Sequence, residues 1–304
     1  MYERILVPLD GSELAEVALP YAEELAARLG SNITLLNVSE SAEDQYRHMH
    51  QFYMQKMVEN AKPGTERKLR KPVTKRIKVD SAVLVGHPAE GVVDYAHKEK
   101  IGLIVMSTHG RTGIRRWAIG SVAYKVVKAA SQPIVIIRAK GVRPDMREKD
   151  ILRKVLVALD GSKESEAVIP YVAELASRLK LKVTFLRVLT PEWLVTSETR
   201  LREIESLRAS AQDYIENMAA RFKRKGIAAK AEYREAMPPK GAADEIMKLA
   251  DAMKADMVAM STRGRSEFEE RPGEWVLSLG SVAEEMVHTG NRPLLLVRPK
   301  TVTK

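Results

Sequence analysis

The sequence predicts an α/β protein made of two tandem, doubly wound parallel sheets of five strands each, with helices on both faces. Three observations lead to this prediction: the length of 304 residues, an internal repeat with a period of about 150 residues, and short apolar runs that alternate with helical patterns. Domains usually contain about 100 to 200 residues, so the length favours two. The period is too long for a solenoid unit, which runs about 20–50 residues, and it therefore indicates a duplicated domain.

Identical residues at a regular offset define the repeat. Residues 4–29 align with residues 154–179, and matching continues to the end of each half at a growing offset. The matched pairs include Asp10/Asp160, Gly11/Gly161, Gly120/Gly280 and Ser121/Ser281. We therefore place the first domain at 1–140 and the second at 151–304, joined by a polar linker.

The elements of the first half follow from local patterns. Apolar runs predict strands at 5–9, 33–38, 79–85, 103–106 and 134–137. Helical spacing predicts helices over 14–29, 43–61, 89–99 and 120–130. Pro20 lies inside the first of these helices and should kink it. Strands that are apolar on both faces and alternate with helices are typical of a covered parallel sheet, whose ligands bind at the carboxyl ends of the strands.

Composition excludes several classes of protein. The chain has no cysteine, which rules out disulfides, thiol nucleophiles and thiolate metal sites and agrees with a cytoplasmic location. No apolar run approaches the roughly 20 residues of a membrane span, and residues 1–7 lack the layout of a signal peptide. The sequence has no P-loop pattern, and no Gly-x-Gly-x-x-Gly follows a strand, so P-loop NTPases and nicotinamide dehydrogenases are disfavoured.

Most of the excess positive charge lies in one segment. The formal net charge is +10, and residues 62–78 hold eight basic residues and one acid. No aromatic side chain lies among them to stack on bases, so nucleic acid is not an expected partner. A solvated basic loop is the simpler interpretation, and a surface for an anion or a protein partner is the alternative.

The segment after the fourth predicted strand has the spacing of a phosphate-binding loop. It reads Ser-Thr-His-Gly over residues 107–110, then nine residues, then Gly-Ser at 120–121. Gly110 allows backbone amides to approach a phosphate, and the helix that begins at 120–121 presents free amides and a positive dipole end. Arg111 adds positive charge, and Asp10 is placed to accept hydrogen bonds from ribose hydroxyls. A glycine turn with a serine cap and solvated arginines explains the same spacing.

Together these segments resemble the universal stress protein family. The resemblance is carried by residues 6–12, 83–88 and 107–121, and it extends over both halves. ATP-binding members of that family carry Gly-x-x-Gly, nine residues, then Gly-Ser or Gly-Thr, and here Ser107 replaces the first glycine. The resemblance implies a Rossmann-like fold of the adenine nucleotide alpha hydrolase type and ATP, with Mg²⁺, as the ligand.

The resemblance implies a nucleotide site in each half. The residues assigned in the first half are Asp10, Val38, Met106, Ser107, His109, Gly110, Arg111, Gly120, Ser121 and Val122. Those in the second half are Asp160, Val188, Met260, Gly264, Gly280 and Ser281. Fifteen residues, four of them glutamates, separate Gly264 from Gly280, so the second half is expected to bind a triphosphate less tightly.

The leading hypothesis is a cytoplasmic, nucleotide-responsive stress protein without enzymatic activity beyond slow ATP hydrolysis. No His or Glu is evidently fixed beside the terminal phosphate, and no catalytic residue or metal ligand is assigned. The last strands, 134–138 and 294–298, would be exposed edges. The resemblance suggests that they pair antiparallel as an internal pseudo-dimer, that whole chains form homodimers, and that a protein partner exists.

Two alternatives remain open at this point. The first is a nucleotide-independent interaction protein that docks partners through its paired sheets and basic loop. The second is an adenylyl-transferring or pyrophosphatase-type enzyme on a related fold, which lacks a dedicated catalytic motif in this sequence.

Overall fold

A computed structural model describes residues 1–40, 44–67, 77–109, 119–138, 151–190, 198–237, 239–264 and 279–299. Internal contacts divide the chain into two compact units, Met1–Ile151 and Leu152–Lys304. Each unit is an α/β structure with a parallel sheet, as the alternation of apolar runs and helical patterns predicts.

The first unit alternates strands with helices along the chain. Its described elements are β1 (Arg4–Pro8), α1 (Glu13–Glu16), α2 (Leu19–Leu29), β2 (Asn32–Ser39), α3 (Asp44–Arg67), β3 (Val79–Val85), α4 (Pro88–Lys98), β4 (Leu103–Ser107), α5 (Ser121–Ala129) and β5 (Ile134–Ile137). The five predicted strands are present, and α3 is longer than the predicted helix over 43–61.

The strand order of the first unit is β3-β2-β1-β4-β5. Ile5 on β1 pairs in parallel with Ile33 on β2 and with Leu103 on β4. The chain therefore leaves β1 toward one edge of the sheet and later returns to the other side of β1. Such a reversal opens a crevice at the carboxyl ends of the two central strands, β1 and β4.

The second unit repeats this arrangement. Its described elements are β6 (Lys154–Leu159), a 3₁₀ helix (Ser165–Val168), α6 (Ile169–Leu179), β7 (Lys182–Leu189), α7 (Glu198–Arg224), β8 (Ala229–Glu235), α8 (Ala242–Ala252), β9 (Met257–Ser261), α9 (Ser281–Thr289) and β10 (Leu294–Val297). Its strands lie in the order β8-β7-β6-β9-β10, which matches that of the first unit.

Helices cover both faces of each sheet. Successive residues of a strand point to opposite faces, yet Ile5, Leu6 and Val7 on β1 are all fully buried, and so are Leu156 and Val157 on β6. Both faces must therefore be shielded from water, which confirms the predicted doubly wound architecture.

The helix expected over 14–29 is two helices, so the prediction of one kinked helix is wrong. α1 ends at Glu16, and α2 begins at Leu19 with Pro20 in its first turn. Proline has no amide hydrogen to donate, and the first turn of a helix is the place where none is required. In the second unit a 3₁₀ helix takes the place of α1, and Pro170 lies in the first turn of α6.

Helix α2 of the first unit and helix α6 of the second are each followed by a residue with left-handed backbone. Gly30 follows α2 with φ of 72°, and Lys180 follows α6 with φ of 55°. Glycine adopts this conformation without steric cost, whereas the Cβ of lysine crowds the following carbonyl. At this position the second unit therefore carries local backbone strain that the first unit does not, although Lys100 of the first unit also has a positive φ, of 51°.

Candidate functional site

The carboxyl ends of β1, β2 and β4 line a cavity of about 540 Å³ in the first unit. The predicted residues that line it are Asp10, Val38, Met106, Ser107, His109, Gly120, Ser121 and Val122. Gly110 and Arg111 lie outside the described residues. Every predicted residue of the first half that the structure describes therefore lies at one cavity.

Asp10 is held by the turn that follows β1. The amide and the hydroxyl of Ser12 both donate to Asp10 Oδ1, at 3.0 Å and 2.6 Å. Gly11 allows the turn because its φ is 85°, and the Ser12 hydroxyl in turn accepts from the amide of Ala15 at the start of α1. The local sequence Asp-Gly-Ser thus fixes the direction of the carboxylate at the cavity.

The amino end of α5 forms the opposite side of the cavity. The amide of Gly120 donates to Thr108 O at 2.7 Å, and Gly120 supplies no side chain to cap the helix. The first amides of α5, from Ser121 onward, therefore have no acceptor within the helix. An anion at this end is stabilised by these amides and by the helix dipole.

The loop after β4 is held by its own side chains. The amide of His109 donates to Ser107 Oγ at 3.3 Å, and His109 Nδ1 lies 2.9 Å from the hydroxyl oxygen of the buried Thr108. His109 Nε2 is buried and has no hydrogen-bond partner among the described residues. The serine that replaces the first glycine of the motif therefore stabilises the loop, and Thr108 holds the imidazole through its Nδ1.

Helix α4 packs directly against the wall formed by β2. A Cβ added at Gly91 would lie 2.9 Å from Val38 Cγ1, closer than carbon atoms approach in folded proteins. Glycine inside a helix costs about 1 kcal/mol relative to alanine, so its presence here follows from packing. This close approach holds Val38 in place at the cavity.

Asn37 and His50 are polar cavity residues that were not predicted. Asn37 is 2% exposed, its Nδ2 donates to Leu9 O at 2.8 Å, and its Oδ1 is buried without a partner among the described residues. His50 lies on α3, is buried and faces the same cavity. The sequence could have indicated both residues. Asn37 is a polar residue within an apolar strand, and His50 lies four residues before the buried Met54, on the same helix face.

A tyrosine on the helix after the second strand ties that helix to the Asp-Gly-Ser region in both units. Tyr53 donates to Glu16 Oε1 at 3.0 Å, and Tyr214 donates to Glu166 Oε1 at 3.0 Å. Burial, and then the charge of Glu166, raises the pKa of the Tyr214 phenol far above its ordinary value. The repeated contact was not predicted, because the two tyrosines do not follow the offset of the aligned glutamates.

The second unit has a smaller cavity at the same place, of about 160 Å³. All six residues predicted for the second half line it: Asp160, Val188, Met260, Gly264, Gly280 and Ser281. Asp160 Oδ1 accepts from the amide and the hydroxyl of Ser162 at 2.9 Å and 2.5 Å, as Asp10 does from Ser12. The four glutamates of the lengthened loop lie outside the described residues.

The strand residue that precedes Val38 in the first unit differs from the one that precedes Val188 in the second. Pro8 pairs with Leu36 in the first sheet and Ala158 pairs with Leu186 in the second, so the next residues, Asn37 and Arg187, are equivalent. Arg187 is 6% exposed, lines the second cavity, and donates from Nη1 to Val188 O at 3.1 Å.

An arginine follows the last strand of each unit. Burial lowers the pKa of Arg138 from its ordinary value. Burial, and then the nearby positive charge of Arg263, lowers the pKa of Arg298. Both guanidinium groups stay protonated at neutral pH, because the ordinary pKa of arginine exceeds 12. The second unit thus brings two cations together at the carboxyl edge of its sheet.

Within the described part of the chain, no helix combines the length and apolar character needed to cross a membrane. No three His, Asp or Glu side chains of the described residues are grouped closely enough to bind a metal ion together.

These two units define an α/β protein with a doubly wound parallel sheet in each unit and a cavity at the switch point of each sheet. The sequence profile of the Universal stress protein family matches residues 1–138 and residues 152–298. The chain belongs to that family and carries its domain twice, which confirms the predicted tandem organisation.

Similar proteins agree with this assignment. The chain is 27% identical over 157 residues to the universal stress protein MJ0577 of Methanocaldococcus jannaschii, a match that covers 46% of this chain and 97% of that protein. It is 26% identical over 155 residues to the universal stress protein YxiE of Bacillus subtilis, with 45% and 100% covered.

Solved structures of similar proteins match almost the whole chain. A protein of Pseudomonas aeruginosa, PA1789, has a TM-score of 0.69 at 17% identity, with 98% of this chain and 93% of that chain covered. A universal stress protein of Archaeoglobus fulgidus has a TM-score of 0.64 at 18% identity, with 98% and 99% covered. At these identities the likeness concerns the fold.

Proposed function

We propose that the first unit binds ATP and that the chain is a nucleotide-responsive regulatory protein of the stress response. The observation that carries this proposal is the gathering of the predicted residues of the first unit at one cavity of about 540 Å³. Sites for small molecules have volumes of about 300–1,000 Å³, so the cavity is large enough for a nucleotide.

The two ends of the cavity suit the two ends of the ligand. At one end, Asp10 accepts hydrogen bonds from ribose hydroxyls, while Val38 and Met106 contact the base. At the other end, the first amides of α5 and the hydroxyl of Ser121 donate to phosphate oxygens. In this proposal Gly110 and Arg111, outside the described residues, complete the phosphate site.

The donor groups also suit Mg²⁺ that arrives with the triphosphate. Mg²⁺ keeps several waters and is usually bound through phosphates and one or two carboxylates, without a cage of protein ligands. The described residues at the phosphate end supply amides and the Ser121 hydroxyl, so phosphate oxygens and waters would hold most of the ion's coordination. When bound, the ion would neutralise part of the phosphate charge, and the amides of α5 would stabilise the rest.

We propose that hydrolysis of the bound ATP is slow. A general base must lie within hydrogen-bond reach of the attacking water. His109 is the imidazole nearest the phosphate end, but Thr108 holds its Nδ1 and its Nε2 is buried. The protein would then respond to nucleotide occupancy, and turnover would only reset that state.

We further propose a cytosolic homodimer that acts through a protein partner. The absence of cysteine suits a reducing compartment. In this proposal residues 134–138 and 294–298, the last strands of the two halves, pair with each other as an internal pseudo-dimer because unpaired strand edges favour association, and whole chains pair in turn.

The test is a search for nucleotide in the purified full-length protein. After denaturation, the supernatant should contain adenine nucleotide at up to one per chain, and added Mg-ATP should raise the unfolding temperature. Protein that carries no nucleotide and shows no thermal shift would contradict the proposal and favour the nucleotide-independent interaction protein. Rapid release of pyrophosphate would instead favour the enzyme.

A further inference from the structure

Asn37 places a polar amide inside the buried part of β2. The two residues before it, Leu35 and Leu36, are buried, and Asn37 itself is 2% exposed. Its Oδ1 is buried and has no hydrogen-bond partner among the described residues. An unpaired buried acceptor lowers the stability of a fold, so stability alone does not account for an amide here. The other end of the amide makes a specific contact, because Nδ2 donates to Leu9 O at 2.8 Å.

This bond lies where the main-chain ladder between β1 and β2 ends. The last paired residues of the two strands are Pro8 and Leu36. The amide of Leu9 still donates to Leu36 O at 2.8 Å, but Leu9 O accepts from the side chain of Asn37. Both polar groups of Leu9 are thus held by β2 at the point where the chain turns out of the sheet.

Leu9 O belongs to the peptide group that joins Leu9 to Asp10. A peptide group is planar, so holding its oxygen restricts the rotation of the whole plane, including the Cα of Asp10. At the other end of Asp10, the amide and the hydroxyl of Ser12 donate to Oδ1. Asn37 therefore holds the backbone from which the side chain starts, and Ser12 holds the carboxylate itself.

The second unit holds its aspartate in a different way. Its ladder continues one residue further, to Leu159 paired with Arg187. The amide of Asp160 donates to Ser165 Oγ at 3.4 Å, whereas the aligned residue of the first unit, Ala15, has no hydroxyl. Where the second unit uses one more step of the main-chain ladder, the first unit uses a side chain of β2.

We propose that Asn37 is a positioning residue for Asp10 and that it sets the preference of the first site for a ribonucleotide. The inference rests on the proposed function, in which Asp10 accepts hydrogen bonds from ribose hydroxyls. Hydrogen bonds require a narrow range of distance and angle, so a carboxylate whose backbone can shift loses much of this preference. Asn37 acts through the peptide group of Leu9 and not through contact with the nucleotide.

The test compares two ligands that differ only in their ribose hydroxyls. Calorimetric titration of the full-length protein with the Mg²⁺ complexes of ATP and 2′,3′-dideoxy-ATP gives an affinity ratio for each variant. The parent should prefer ATP by about tenfold or more, because the hydroxyls donate to a charged acceptor. Asn37→Leu keeps the volume and removes the donor. It should weaken ATP binding until the two affinities agree within about threefold, and it should leave the affinity for the dideoxy compound unchanged.

Two further variants separate positioning from a general loss of structure. Asn37→Ala also removes the donor and leaves space for water at Leu9 O, so it gives the answer if Asn37→Leu does not fold. Asn32→Leu removes a similar bond, from the amide of Lys78 to Asn32 Oδ1 at 3.0 Å, at the amino end of the same strand. It should leave the affinity ratio at the parent value. Circular dichroism checks the fold of each variant.

The outcomes distinguish this inference from the ATP site itself. A parent that binds ATP and the dideoxy compound equally would overturn the inference while ATP binding stands. Asn37 variants that keep the parent ratio would do the same, and so would variants in which both affinities fall together, because that result indicates a merely structural role. A parent that binds neither ligand would reject the proposed function and this inference with it.

Discussion

Gly120→Asp places a carboxylate where the first unit is proposed to bind phosphate. A Cβ at Gly120 would lie 3.1 Å from Thr108 O and 3.8 Å from His109 Cα, so the backbone must shift by a few tenths of an ångström. Aspartate is a preferred residue at the amino cap of a helix, so we expect the fold to persist. The main effect is therefore electrostatic.

The magnitude follows from the distance between like charges. Two unit charges 4 Å apart repel by about 4 kcal/mol at an effective dielectric constant near 20. Screening at the open mouth of the cavity reduces this value. About 2–3 kcal/mol remains, which corresponds to a loss of roughly 30- to 150-fold in affinity for ATP.

Calorimetric titration of Mg-ATP into the full-length parent and its variants measures this loss. Gly120→Ala, which adds the Cβ without the charge, should lose much less affinity than Gly120→Asp. Gly280→Asp is the matched variant in the second unit, where an added Cβ has more room, at 3.6 Å from Thr262 O, and it should leave ATP affinity unchanged. Gly120→Asp protein that stays folded and binds ATP within threefold of the parent would show that the phosphate site is misplaced.

The remaining predictions concern differences and relations between the halves. Asp10→Ala should weaken ATP binding by about tenfold or more, whereas Asp160→Ala should have little effect; calorimetry that gives equal losses would refute this asymmetry. The strands 134–138 and 294–298 should pair antiparallel, and a crystal structure with these strands far apart would reject the pseudo-dimer. Lys180→Gly should raise the free energy of unfolding by about 1 kcal/mol, because it removes a side chain from left-handed backbone. Chemical denaturation of the full chain measures this gain, and an unchanged or lower stability would contradict the strain.

The sequence by itself was sufficient for the parts that depend on near neighbours in the chain. The strands of both sheets appear as apolar runs, and the duplication appears as repeated residues. The turn at Asp10 is encoded by the two residues that follow it, and the free amino end of α5 is encoded by Gly120 and Ser121. Periodicity, turn chemistry and helix starts are local properties, so reading them needs no knowledge of the fold.

Only the tertiary structure decided what meets at each cavity. Helical spacing alone did not show that the helix is interrupted before Pro20, because the interruption depends on how the two resulting helices pack on the sheet. Asn37 and His50 come from different elements and converge only after the sheet has formed. The sequence shows that Arg187 is a charged residue within an apolar strand, but it does not show to which face of the sheet the side chain points. The volume of a cavity depends on side chains distant in sequence, and only the fold made the buried Arg187 part of the lining of the second cavity.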